Sequence, residues 1–175
     1  HYPDSMLALV RRSANKPVEH EMEVFDNLEA AIKEFKPDYA VVCSPASEHV
    51  KQALALLKAE VPCFVEKPMS HNLTGIELLQ HAAPNTPLMI GYNLRFCLGY
   101  QKVEELLKSK VIGAIWQADF EVGQYLPDWR PLIPYQNSVS ATRELGGGCL
   151  LELSHELDMA VGLFNIRSLL TSCVL

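Results

Sequence analysis

The 175 residues predict an α/β fold, a parallel sheet followed beyond about residue 92 by the start of an α+β domain with an antiparallel sheet. Three features carry that expectation. Short apolar runs alternate with amphipathic stretches of roughly 10 to 13 residues, the rhythm of βαβ units. One of those runs, Cys63-Phe64-Val65, stops at Glu66-Lys67-Pro68, because a proline supplies no further ladder hydrogen bond. After Gly91 the pattern changes: in 115–122 (IWQADFEV) Trp116, Ala118, Phe120 and Val122 alternate with polar residues, as in a sheet with one wet face.

Taken in order, Met6–Val10 reads as a buried strand, with Arg11, Arg12 and Ser13 directly after it. Val24-Phe25 leads into Asp26-Asn27-Leu28-Glu29, an acid or amide cap with a glutamate three residues later, the signature of a helix start. Leu28, Ala31, Ile32 and Phe35 keep the helical period until Pro37 breaks it. Tyr39–Cys43 is the next strand, closed by Ser44-Pro45. Glu48–Glu60 is an amphipathic helix, with Val50, Ala53, Leu54 and Leu57 on one face. The Cys63–Val65 strand, a helix from about Leu73 to Ala82 and a strand at Leu88–Ile90 follow. Continuous apolar strands of this kind suit a sheet covered on both faces. Tyr100–Lys110 is a charged amphipathic helix, and residues 123–145 form a long connection stiffened by Pro127, Pro131 and Pro134. Gly146-Gly147-Gly148 opens a final helix over Leu150–Phe164. The boundary near residue 92 divides the chain into domains 1–91 and 92–175.

Composition narrows the function classes. The chain is 49% hydrophobic and 21% charged with net charge −6, which leaves no electrostatic footprint for nucleic acid or an anionic membrane. No apolar run is long enough to span a bilayer. Five cysteines, mostly in apolar runs and without C-x-x-C spacing, are expected to be reduced core thiols of a cytoplasmic protein, and no metal site is expected. The chain opens without a methionine or a signal-like start, so a fragment is expected.

Four segments carry the chemistry. Glu66 and Lys67 stand at the carboxyl end of a strand, where open α/β sheets bind their ligands. The others are Ser44-Pro45-Ala46-Ser47-Glu48-His49, Gly91-Tyr92-Asn93-Leu94-Arg95-Phe96, and the run from Gly146 through Glu152 and His155 to Asp158. Together they resemble the glucose-fructose oxidoreductase / inositol dehydrogenase / MocA family of nicotinamide-dependent sugar dehydrogenases. The resemblance implies a Rossmann-like parallel sheet, incomplete at its N-terminus. No G-x-G-x-x-G turn occurs in the sequence, and residue 1 would fall within or just after the family's first helix.

The implied roles are these. Lys67 binds or polarises the reacting oxygen, His155 is the acid/base, Asp158 orients it, and Glu66 supports Lys67. Ser44, Pro45, His49, Glu66 and Lys67 lie along the cofactor. Arg11, Arg12 and Ser13, with no acid among them, favour the 2′-phosphate of NADP over NAD. The family's asparagine in the second segment is Ala46 here. His49 taken alone reads as a surface residue at a helix start. Asn93 and Arg95 face the substrate, although Arg95 equally suits an ion pair bracing the two domains. Tyr125, Trp129 and Arg130 supply flat faces and donors for a sugar, and the aromatics equally suit anchoring of their loop. The family's acid precedes its histidine by four residues, whereas Glu152 precedes His155 by three, so the role of Glu152 is open. The implied partner is a small carbohydrate. The wet face of 115–122 suits solvent or a homo-oligomer interface. A non-catalytic cofactor- or sugar-sensing relative on the same scaffold, or an inactive fragment, is the alternative to an enzyme.

Overall fold

The computed structural model describes residues 5–11, 22–82, 84–129, 131–132 and 134–166. Arg12, Ser13 and Arg130 lie outside the described residues. Five parallel strands appear: β1 (Ala8–Val10) pairs with β2 (Glu23–Phe25), and β3 (Ala40–Val42), β4 (Cys63–Val65) and β5 (Leu88–Ile90) pair in that order. β1, β3, β4 and β5 each lie within the run expected to form them, whereas β2 falls where no strand is expected.

The helices connect and cover them. Helix α1 (Leu28–Glu34) is capped by Asn27, whose side chain accepts from the Ala30 amide at 2.8 Å. The cap is thus the amide rather than Asp26, and Glu29 serves the first turn by its charge beside the helix N-terminus. Helix α2 (Ala46–Lys58) starts two residues earlier than its periodicity suggests, directly after Pro45. Its Ala53, Leu56 and Leu57 are at most 2% exposed and meet Val42, Val61, Cys63 and Val65 in one core cluster. Burying each such leucine stabilises the fold by about 1.5–3 kcal/mol, so α2 is the helix that holds the three-stranded sheet. Helix α3 (Ile76–Ala82) is shorter than its expected span, because residues 70–75 form turns, with Asn72 accepting from the Thr74 amide.

Cover on both faces is not what the strands show. Val42 and Val65 face α2, but Val41 and Met89, pointing the other way, are 58% and 45% exposed. A run of apolar residues states that both faces are apolar and does not supply the second layer. The cysteines correct a further expectation: of the four described, all free, only Cys63 is buried, while Cys43, Cys97 and Cys149 are exposed.

Beyond β5, Asn93–Phe96 forms a 3-10 turn that leads into α4 (Leu98–Ser109). Residues 113–125 form no strand and are exposed almost throughout, Trp116 by 96%. The antiparallel sheet is therefore absent among the described residues. Alternation defines an apolar and a polar face, but a strand also needs a neighbouring backbone to bond. The expected helix over 150–164 is two, α5 (Cys149–Glu152) and α6 (His155–Leu163), broken at Leu153-Ser154.

Candidate functional site

The site is built at the carboxyl ends of β3, β4 and β5. The Glu66 amide continues the ladder by donating to the Val42 carbonyl at 2.9 Å, and the Gly91 amide donates to Val65 at 2.8 Å. These bonds fix the backbone up to the point where Lys67 leaves the sheet, before a cis Lys67–Pro68 bond. The Glu66 carboxylate turns back to accept from the Lys67 amide at 3.2 Å, which supports that backbone locally. A Cβ at Gly91 would sit 3.0 Å from the Phe64 ring, so the neighbouring strands approach closely here only because of the glycine.

The Lys67 side chain crosses to the C-terminal half of the chain. Its Nζ donates to the Glu152 carbonyl at 2.7 Å and lies 3.9 Å from the Glu152 carboxylate, both side chains about one-fifth exposed. The break between α5 and α6 explains the acceptor: ending the helical turn at Glu152 leaves its carbonyl for an outside donor. The glycines bring α5 into place. Gly146 has φ +95°, and a Cβ there would lie 2.6 Å from the Ala46 Cβ; a Cβ at Gly147 would clash with the Val139 and Ser140 carbonyls. The turn thus docks on the N-terminus of α2 as only glycine can.

His155, the first residue of α6, has its ring edge-on to Tyr92, with centroids 5.7 Å apart at 84°. Its Nδ1 is buried without a hydrogen-bond partner among the described residues. Asp158 shows no bond to that nitrogen among the described residues. Its carboxylate is held by Arg95 in a two-pronged bond, Nε and Nη2 each at 2.7 Å. That bond raises the Arg95 pKa further above its already high value. Of the two readings open for Arg95, an ion pair is the one present, but its partner Asp158 lies in the same 92–175 stretch, so the pair does not brace the two expected domains. Asn93 is exposed and makes no side-chain hydrogen bond among the described residues.

His49 is neither at the surface nor open to a ligand. It is 1% exposed, with Nδ1 2.8 Å from the Pro68 carbonyl and Nε2 2.7 Å from the Ser44 carbonyl. It joins the loop after β3 to the loop carrying Lys67, while the Ser44 hydroxyl donates to Gln52 at 2.7 Å. Arg11 extends β1, its amide donating to the Phe25 carbonyl at 3.1 Å. Tyr125 is 70% exposed and the Trp129 Nε1 is buried without a partner; no hydrogen bond ties either to the Lys67 cluster among the described residues. Reasoning from sequence missed Tyr92 and Ser154 as site residues, though Tyr92 stood inside the Gly91–Phe96 motif. The Tyr92 hydroxyl donates to the Ser154 Oγ at 3.3 Å.

Residues 7–94, half of the chain, match the model of the Gfo/Idh/MocA oxidoreductase family, described as having an NAD-binding Rossmann fold. The chain belongs to this family. Among curated relatives, inositol 2-dehydrogenase of Paracoccus denitrificans is 30% identical over 97 residues, 54% of this chain and 29% of that protein. D-glucoside 3-dehydrogenase of Escherichia coli is 28% identical over 144 residues, 79% of this chain and 39% of that protein. The chain thus spans less than half the length of these Gfo/Idh/MocA relatives. Scyllo-inositol dehydrogenase of Lactobacillus casei, solved with NAD(H) and scyllo-inositol, superposes with a TM-score of 0.51 at 27% identity over 54% of this chain and 28% of that one. The WlbA dehydrogenase of Bordetella pertussis shares the fold over 81% of this chain and 41% of that one, with a TM-score of 0.63 at 18% identity.

Proposed function

We propose that the protein carrying this chain is an NAD(P)-dependent oxidoreductase that interconverts a hydroxyl and a keto group on a sugar or sugar-like polyol. The observation that carries the reading is the meeting of Lys67 with the α5–α6 junction. An ammonium is held at the Glu152 carbonyl, three residues before a histidine whose buried Nδ1 has no partner among the described residues. The relatives named for inositol and a glucoside supply the substrate class.

The donor set suits a nicotinamide dinucleotide. Ser44, Pro45, Glu66 and Lys67 stand at the carboxyl ends of adjacent parallel strands, where such folds hold their ligand. The nicotinamide, when bound, supplies the hydride chemistry at the carbinol carbon. In the oxidation direction His155 takes the hydroxyl proton, and Lys67 keeps the developing negative charge on that oxygen stabilised through its ammonium. Glu66 holds the Lys67 backbone rather than reacting. Arg11, which extends β1, and Arg12, which follows it in the sequence, favour NADP, since guanidinium groups bind a 2′-phosphate by charge-assisted bonds. Asn93, Tyr125, Trp129 and Arg130 remain the groups assigned to the substrate, on a domain that begins at residue 92.

The test is turnover of inositols and glucosides with NAD and NADP by the protein as its gene encodes it. Lys67→Ala and His155→Ala are each expected to lower kcat by about 10²-fold or more, with cofactor affinity changed far less, because neither residue is assigned to the phosphates. Near-normal turnover in His155→Ala would remove that residue from the chemistry. Replacing Arg11 and Arg12 by alanine is expected to weaken NADP and spare NAD; equal losses would assign the arginines a structural role.

A further inference from the structure

We infer that Arg95 and Tyr92 are positioning residues that set the place of His155 relative to Lys67; the inference rests on the proton-handling pair proposed above. The turn that leaves β5 grips the start of α6 at three successive points. The Tyr92 hydroxyl bonds Ser154, the Tyr92 ring edge meets His155, and the Arg95 fork takes Asp158. The Arg95 Nη2 also reaches the Asp158 carbonyl at 3.4 Å. Asp158 lies one turn after His155 in the helix, so a fork closed on it fixes the rotation of α6 about its axis.

The other end of this linkage is equally rigid. Tyr92 follows Gly91, whose amide bonds Val65 on β4, and Lys67 leaves the sheet two residues beyond Val65. The path from Lys67 to His155 therefore runs through one sheet ladder and one clamped turn. α6 also carries a glycine where the clamp presses on it. A Cβ at Gly162 would clash with the Tyr100 hydroxyl and sit 3.3 Å from the Arg95 guanidinium. The Arg95 side chain is 41% exposed, so the ion pair adds little stability and its contribution is geometric.

The experiment measures kcat, the cofactor and substrate KM values and the melting temperature of the protein as its gene encodes it, in Arg95→Met, Asp158→Asn, their double variant, Arg95→Lys and Gly162→Ala. Arg95→Met and Asp158→Asn are expected to lower kcat by about 10- to 100-fold, the scale of a misplaced reacting group. Cofactor KM should stay within about twofold and the melting temperature within a few degrees, as for a half-exposed ion pair. The double variant should be no worse than the poorer single one, because both remove the same clamp. Arg95→Lys, which keeps the charge and loses the fork, should recover only part of kcat and guards against a misfolded methionine variant. Gly162→Ala should lower kcat in the same way from a position that touches no reactant. An unimpaired kcat in Arg95→Met, with His155→Ala still impaired, overturns this inference alone. Parallel losses in kcat, cofactor KM and melting temperature overturn it in favour of a general structural role. Full turnover in His155→Ala takes down the functional reading and this inference with it.

Discussion

His49 shows how a polar residue acts without touching a ligand. Both ring nitrogens sit within 2.8 Å of backbone carbonyls, at 1% exposure, and those carbonyls belong to the two loops that shape the site. His49→Ala removes the ring N–H that one of these part-buried carbonyls accepts and the contact to the other, at a cost of about 1–3 kcal/mol for a polar group left without its partner. It is expected to lower the urea midpoint and, by loosening the Pro68 loop, kcat as well. A variant with unchanged denaturation would show that water replaces the ring. Cys43 reports on the same strand ends. Its thiol pKa is raised, first by partial burial and then by the negative charge of Glu66. The thiolate is the reactive form, so at a fixed pH near 8 Glu66→Gln should speed alkylation of Cys43 by iodoacetamide, read by peptide mass spectrometry. An unchanged rate would mean the carboxylate does not act on the thiol.

At the level of elements, α2 matters most, because its buried face carries the core. Leu56→Ala is expected to cost about 2–5 kcal/mol, the range for a leucine deleted from a packed interior, measured by denaturant titration. Asn27→Ala should cost about 1 kcal/mol through loss of the α1 cap. A larger loss from the cap than from the leucine would contradict this ranking. The break between α5 and α6 is the element-scale feature with a direct chemical result. A continuous helix would direct the Glu152 carbonyl to an amide of its own next turn, whereas the break offers it to Lys67.

For the molecule as a whole, the sheet stands in two parts, β1-β2 and β3-β4-β5, and the sequence contains no Gly-rich pyrophosphate turn. The 175-residue chain by itself is accordingly expected to bind NADPH and NADH weakly, with a Kd above about 10 μM by calorimetric titration. A tighter value would show that the strand ends alone suffice. The face formed by α4, α6 and residues 115–120 is an apolar groove of about 450 Å³, lined by Tyr100, Val103, Ile115, Phe120, Met159 and Phe164. Of the apolar residues of the 115–122 alternation, Ala118 and Phe120 line this groove, while Trp116 stays exposed.

The sequence by itself determined the alternation of strands and helices from β3 to β5, their parallel arrangement, the end of β4 before Pro68 and the family. Each depends on local signals: an apolar period, a cap, a proline or a motif of a few residues. It also brought forward Lys67, His155, Arg95 and Asp158 as the polar residues to watch. Only the tertiary structure decided how they pair. That Arg95 takes Asp158, Lys67 takes the Glu152 carbonyl and His49 is buried between two carbonyls depends on groups 63, 85 and 5 or 19 residues apart. Spacing along a chain fixes which side chains share a helix face. Which distant group satisfies each of them is fixed only when the ladder, the glycine turn and the helix break set backbones beside one another in space, where each buried polar group takes the partner within reach.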